Sequence, residues 1–320
     1  MEIRTTIEKC ISPVDNLPLA VLRTEPVNPA DAVDTVVIVH GMCEHKGRYE
    51  EFVRFLAQNG CIVTIFDLRG HGESVRDAGD LGYFYGGGVA SLTEDLSAVV
   101  AMAENYTMSA VGRRLPVTIV AHSMGTLIAR CWLREHDDVI DRLVLCGCPS
   151  KPTGMRPGLW FVRLLRRLRG SKARSRIVDV IVCGGYEKRF AKEKTVHAWI
   201  NSDPAEVAVY NEDPLCGFSF TLDAYETLIR MTMLTYRDGG YKMSKPGLPI
   251  RFFSGADDPC AISEKKLGKA IALLRKQGYR DTKGKVYPGM RHEILRESAK
   301  TGVHRDILAF MRDGAGCAQQ

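Results

Sequence analysis

Leu115-Pro116-Val117-Thr118-Ile119-Val120-Ala121-His122-Ser123-Met124-Gly125 reads as a short buried strand that runs directly into a serine between small residues. Where a chain turns sharply from strand to helix around a serine, the serine is held strained with Oγ exposed, and the residues beside it must be small. Gly125 meets that demand. Ala121 stands where the pattern G-x-S-x-G has its first glycine, adding one methyl where helix and strand cross. The competing reading is a buried serine on an ordinary strand-to-helix turn, so the remainder of the chain decides between them.

A serine hydroxyl becomes a nucleophile only when a base takes its proton, and that base needs a carboxylate to orient it. The run 248–254 is an apolar strand ending in Gly255-Ala256-Asp257-Asp258-Pro259. Asp258 is the expected carboxylate, because the proline after it forces it out of helical backbone and fixes how it is presented. Asp257 is the alternative, a turn acid in the same loop. Gly284-Lys285-Val286-Tyr287 is a further short strand, leading into Pro288-Gly289-Met290-Arg291-His292-Glu293, so His292 also sits in a loop after a strand. The order Ser123, Asp258, His292 is that of the α/β-hydrolases.

The tetrahedral intermediate of acyl transfer also needs two backbone N–H donors, one after the nucleophile and one from an early loop. Met124 supplies the first. The strand 35–39 enters His40-Gly41-Met42-Cys43-Glu44-His45, where Gly41 lets the backbone fold back and Met42 offers the second. His40 is expected to brace this loop, since one base is enough for the chemistry. The glycine-rich turn 66–74 after the strand 61–65 reads as scaffold, with His71 and His45 structural.

With these pieces in place, the chain resembles the α/β-hydrolase family of monoacylglycerol lipases and lysophospholipase-like hydrolases, grouped with serine aminopeptidases. The resemblance runs through His-Gly-Met-Cys-Glu-His-Lys-Gly-Arg-Tyr at 40–49, the turn 67–74, His-Ser-Met-Gly at 122–125, Gly-Ala-Asp-Asp-Pro at 255–259 and Pro-Gly-Met-Arg-His-Glu at 288–293. It implies a mostly parallel sheet with an inserted helical cap, a triad of Ser123, Asp258 and His292, and an oxyanion hole from Met42 and Met124. Ala121 and Cys260, the latter where an aliphatic residue is expected, depart from the pattern.

The 320 residues, 45% of them hydrophobic, suffice for one large α/β core with an insertion. Strands alternate with helices at 49–60 and 91–104 up to the strand 143–146, and the alternation resumes only near Leu248. The expected organisation is a first core segment 1–149, a cap 150–235 and a second core segment 236–320, with 314–320 a frayed tail. Ten cysteines without C-x-x-C spacing, several in apolar runs, read as reduced core thiols, so neither a metal nor a cofactor is expected. With no signal-like stretch at Met1 to Thr6 and no apolar run long enough to span a bilayer, a cytoplasmic location is expected.

Within the cap, 159–169 forms a basic amphipathic helix. Trp160, Phe161, Leu164, Leu165 and Leu168 share one side, and Arg163, Arg166, Arg167 and Arg169 point to the other. Between Lys151 and Val178 stand nine Lys or Arg and no acidic residue, so in a chain of net charge +6 the rest is net negative. Such a helix either lies on an anionic lipid surface or packs on the core and lines an acyl pocket, with Trp160, Phe161, Leu164 and Leu165 touching substrate. No nucleic-acid module accompanies the charge. The expected activity is hydrolysis of lipid monoesters, monoacylglycerols or lysophospholipids, through an acyl-enzyme on Ser123. A serine aminopeptidase or amidase using Asp203, Glu206, Glu212 and Asp213 to hold an ammonium is the alternative, as is a ligand-binding module without turnover.

Overall fold

A computed structural model describes residues 1–313 apart from Ile262, and the backbone only of Cys183. The segment 314–320, expected to be a frayed tail, lies outside the described residues. Eight strands, β1 (Ile3–Ile11), β2 (Pro18–Pro26), β3 (Asp34–Val39), β4 (Cys61–Phe66), β5 (Val117–His122), β6 (Arg142–Cys146), β7 (Ile250–Gly255) and β8 (Thr282–Tyr287), make one sheet in the order β1-β2-β4-β3-β5-β6-β7-β8. The pairs β1·β2 and β2·β4 are antiparallel and the rest parallel.

Every residue of β3, β4, β5 and β6 is buried, as expected of parallel strands covered on both faces. The alternation along β3 shows the two sides. Val37 and Val39 enter one apolar cluster, while Val36 and Ile38 enter the other. On the first side lie α2 (Gly88–Val111), α3 (Met124–His136), α7 (Leu222–Thr235) and α8 (Glu264–Gln277); on the second lie α1 (Glu50–Gln58) and α9 (Lys300–Asp313). Helices α1 and α2 sit where the hydrophobic spacing puts them. Helix α2 runs further in both directions, to a left-handed Gly112 that ends it.

Between β6 and β7 come α4 (Met155–Arg169), α5 (Arg176–Arg189), α6 (Pro204–Glu212) and α7. Helix α7 packs on α2 and α3 and forms the shelf on which α4 rests. The chain leaves β3 toward β4 and returns past β3 to β5, so the crevice above the C-terminal ends of β3 and β5 is the switch point of the sheet, where open α/β sheets bind ligands.

Candidate active site

Ser123 lies at that crevice, between β5 and α3, with φ 49° and ψ −119°. This is a strained conformation for a residue carrying a Cβ, and the surroundings hold it there. Its N–H donates to the Cys146 carbonyl at 3.0 Å and its carbonyl accepts from the Thr126 N–H at 2.9 Å. A side chain at position 125 would collide with the carbonyl oxygens of Val39 and His40, so α3 approaches β3 only because Gly125 has none. Ala121 is fully buried in β5 between its partners on β3 and β6; its methyl is accommodated in the core.

His292 Nε2 accepts from Ser123 Oγ at 2.7 Å, and His292 Nδ1 faces both oxygens of Asp258 at 3.0 and 3.1 Å. The Cys260 N–H donates to Asp258 Oδ1 at 2.8 Å, which leaves the carboxylate little freedom to rotate. Asp258 and His292 are buried. Asp257 is half exposed and faces Arg189 at 3.8 Å, away from the imidazole. The structure thus brings Ser123, His292 and Asp258 into one hydrogen-bonded chain and leaves Asp257 out of it. Among the described residues, the N–H groups of Met42 and Met124 have no hydrogen-bond acceptor.

Beneath the serine lies a network that the sequence reading missed. Glu44 Oε1 accepts from the Gly41 N–H at 2.6 Å, from the Tyr49 hydroxyl at 2.9 Å and from His122 Nδ1 at 3.1 Å. His122 Nε2 donates to the carbonyl of His292 at 3.2 Å. Both ring nitrogens of His122 therefore face acceptors, and both carry protons. Burial pushes the imidazole down, but the hydrogen bond and charge of Glu44 override it and the net shift is upward. Burial likewise pushes Glu44 up, and His122 and Arg48 hold it well below the usual carboxylate range. The result is a buried ion pair joining the loop after β3, the residue before Ser123 and the backbone of His292. Arg48 extends it, bonding Glu293 at 2.6 and 2.7 Å. Position 41 must be glycine for the same reason, since a Cβ there would lie 2.6 Å from Glu44 Oε1 and 3.0 Å from the Ser123 Cβ. The signal available in the sequence was an oppositely charged pair four residues apart, Glu44 and Arg48, just after β3.

His40 differs from His122. Its Nε2 accepts from the Leu68 N–H at 2.9 Å and its Nδ1 donates to the Gly41 carbonyl at 2.8 Å, which fixes a neutral tautomer bracing the loop. Burial holds it below the usual histidine range. His71 packs among His40, Phe84, Phe218 and Phe220 and is pushed down to about 3 by burial.

The segment between β6 and β7 closes over His292 from one side. The Trp199 ring lies 5.2 Å from the imidazole, and the Glu293 N–H donates to the Ile200 carbonyl at 2.7 Å. On α4, Phe161 and Leu165 pack against the main core, whereas Trp160 is 68% exposed and Leu164 and Leu168 also face outward. The arginines do not all point away. Arg163 bonds Glu226 at 2.9 Å and Arg166 reaches Asp223 and Glu226, all on α7. Two groups of potential metal ligands occur among the described residues, His45 with Asp213 and Cys216, and Asp258 with Cys260 and His292. In the first, His45 Nδ1 accepts from the Gly47 N–H, which puts the proton on Nε2 facing Asp213 and leaves no ring lone pair for a cation. The second is the hydrogen-bonded chain already described.

The sheet order, the strained serine at the switch point and its imidazole and carboxylate partners define an α/β-hydrolase. The profile of the serine aminopeptidase S33 family matches residues 30–299, and the chain belongs to that family of hydrolases. It is 33% identical over 263 residues to monoglyceride lipase of Homo sapiens, covering 82% of this chain and 76% of that one. It is 24% identical over 291 residues to monoacylglycerol lipase of Mycolicibacterium smegmatis, covering 88% and 89%. A carboxyl esterase from Bacillus coagulans, solved in complex with glycerol, superposes with a TM-score of 0.86 at 23% identity, over 98% of this chain and 99% of that one.

Proposed function

We propose that this protein hydrolyses carboxylic esters of lipids, monoacylglycerols or lysophospholipids, through an acyl-enzyme on Ser123. The observation that carries the reading is the unbroken chain from Ser123 Oγ through His292 to Asp258 at 2.7 to 3.1 Å. Ser123 Oγ attacks the acyl carbonyl as His292 Nε2 takes its proton; the oxyanion forms against the N–H groups of Met42 and Met124. His292 then returns the proton to the leaving alcohol, and a water repeats the sequence to free the acid. Asp258 holds the imidazole in the Nδ1–H tautomer and stabilises its charged form. The lipid substrate is supported by the two monoacylglycerol lipases to which the chain is similar.

The cap, taken as 150–235, is proposed to meet the lipid surface. Trp160, Leu164 and Leu168 on α4 and Ile177, Val180 and Ile181 on α5 are exposed apolar side chains on neighbouring cap helices. No helix among the described residues is long and apolar enough to cross a membrane, so the contact is peripheral. The cytoplasm is the proposed compartment, supported by thiols such as Cys61, Cys131 and Cys146, which are free and buried.

The aminopeptidase alternative needs uncommitted carboxylates for a substrate ammonium. Glu206 pairs with Arg296, Asp213 with His45, and Asp203 caps α6, so among the described residues only Glu212 of the four is uncommitted. A fluorophosphonate probe should label wild-type protein at Ser123 and not Ser123→Ala. A panel of monoacylglycerols, lysophospholipids, p-nitrophenyl esters and aminoacyl amides should rank the lipid esters first; faster turnover of the amides would overturn the substrate assignment.

A further inference from the structure

A groove of about 1280 Å³ lies between the start of α2 (86–90), the approach to α4 with its first turns (151–159) and the stretch 223–237 along α7 and just beyond it. None of the three residues of the Ser123, His292 and Asp258 chain lines it. Its charge is lopsided, with Lys151, Arg156, Arg166, Arg230 and Arg237 against Asp223 and Glu226. Both carboxylates are buried and already occupied. Asp223 accepts from the Gly86 N–H at 3.1 Å and from Arg166, and Glu226 accepts from Arg163 at 2.9 Å and Arg230 at 2.8 Å. Lys151, Arg156 and Arg237 are exposed, and none of them forms an ion pair among the described residues. Helix α2 begins here without a side-chain cap, adding the positive end of a long helix to the same charge.

We propose that this groove seats the phosphate of an anionic phospholipid standing in a bilayer, and so sets how the enzyme sits on the surface that carries its substrate. The proposal rests on the lipid-ester reading and on the cap meeting a membrane. Three free cations around an open groove call for an anion, and the apolar side chains choose which kind. Val89, Leu159, Met233 and Leu234 line the groove beside the cations, and one turn along α4 the ridge of Trp160, Leu164 and Leu168 stands outward. A head group held by Lys151, Arg156 and Arg237 would leave its acyl chains beside that ridge, with the ridge in the acyl boundary. A free phosphoester or an acidic peptide would use the cations and leave the apolar side chains unused.

The test is flotation of the protein with phosphatidylcholine vesicles, with and without phosphatidylglycerol. The variants are Lys151→Gln/Arg156→Gln/Arg237→Gln and a control with the same charge loss on distant exposed positions, Lys9→Gln/Lys269→Gln/Arg305→Gln. Phosphatidylglycerol should tighten wild-type binding. The groove variant should lose about a hundredfold of that affinity, as three cations near an anionic surface predict, and the control should lose only about threefold. Equal losses in the two variants would reduce the effect to net charge and overturn the site. Displacement of wild-type protein from vesicles by millimolar sn-glycerol 3-phosphate would make it a site for free phosphoesters, and capture of polyglutamate dependent on the same three cations would make it a peptide site; either overturns the lipid assignment. Unchanged thermal midpoints keep the variants interpretable. Because flotation does not depend on turnover and is repeated with Ser123→Ala, its failure is separable from failure of the hydrolase reading, which fluorophosphonate labelling of wild-type protein tests.

Discussion

Around Ser123 the charged side chains are buried and matched, one carboxylate of Glu44 serving Gly41, Tyr49 and His122, while on α4 and α5 large apolar side chains stand in solvent with nothing on them. The first arrangement fixes geometry. Gly41, Tyr49 and His122 share one carboxylate that cannot move without breaking several bonds at once, and polar groups fixed in this way can supply orientation and electrostatic stabilisation without reorganising during reaction. The second arrangement is costly in water and becomes favourable only against an apolar phase. On the proposed function, chemistry and substrate capture lie on separate parts of the chain, and they should fail separately.

The largest effect belongs to the nucleophile. Ser123→Ala removes one oxygen from a buried, well-packed turn, so unfolding should change little while ester turnover falls by several powers of ten. Comparable kcat in the variant would detach the chemistry from the floor of the site altogether.

Next comes the carboxylate. Asp258→Asn should cost about ten-thousandfold in kcat, because an amide beside His292 Nδ1 favours the wrong tautomer. Asp257→Asn, at a half-exposed position facing Arg189, should leave kcat within a factor of about two. A reversal of that ranking would break the assignment of the hydrogen-bonded chain.

A smaller effect sharpens the comparison within the floor itself. Glu44→Gln leaves the His122 imidazolium buried without its counter-charge, so the ring should give up one of its two protons and can then donate to only one of its two partners. We expect kcat to fall by about ten- to a hundredfold with KM little changed, and stability to fall by a few kcal/mol, as for other broken buried pairs. The pH dependence separates this from a generic packing defect. His122 is raised in the folded state, so its contribution is full below its unfolded pKa and is lost as pH rises through the folded value. Denaturant titrations should therefore show wild-type stability declining on the alkaline side of the usual histidine range, and His122→Asn should lack that decline. His71, held near 3 by burial, has the opposite sign, with stability lost as pH falls from its unfolded value toward 3. Identical alkaline limbs in wild type and His122→Asn would remove the ion pair from the account.

What the sequence made legible was local or ordered along the chain. Ser123 at a strand end, Asp258 before a proline and His292 in a loop after a strand could each be read from their neighbours, because apolar runs fix the strands and turn residues fix the loops. The Glu44 to His122 pair could not, since its partners are 78 positions apart and only the parallel pairing of β3 with β5 makes them adjacent. The basic helix shows the same limit from the other side. Helical periodicity placed Arg163 and Arg166 in solvent, but periodicity knows nothing of Asp223 and Glu226 on α7, which draw both arginines inward. The apolar side also divides, with Phe161 and Leu165 toward the core and Trp160, Leu164 and Leu168 outward, because only half of a narrow stripe can rest on the shelf beneath it.

That division changes which substitutions test the cap. Replacing Arg163 and Arg166 would leave buried Glu226 to Arg230 and buried Asp223 to the Gly86 N–H, and would confuse lost ion pairing with lost lipid contact, so the informative changes are on the outward ridge. Trp160→Ser with Leu168→Ser removes exposed apolar area and, among the described residues, breaks no side-chain hydrogen bond or ion pair. Hydrolysis of a soluble short-chain p-nitrophenyl ester should stay within a factor of about two, since the floor of the site is untouched. Hydrolysis of an aggregated long-chain monoacylglycerol should fall by roughly ten- to a hundredfold at limiting surface, in keeping with about 1.5–3 kcal/mol for each large side chain transferred from water and only part of that area reaching lipid. An equal loss on both substrates would mean that the outward ridge supports the floor after all, and that capture and chemistry are not separate in this molecule.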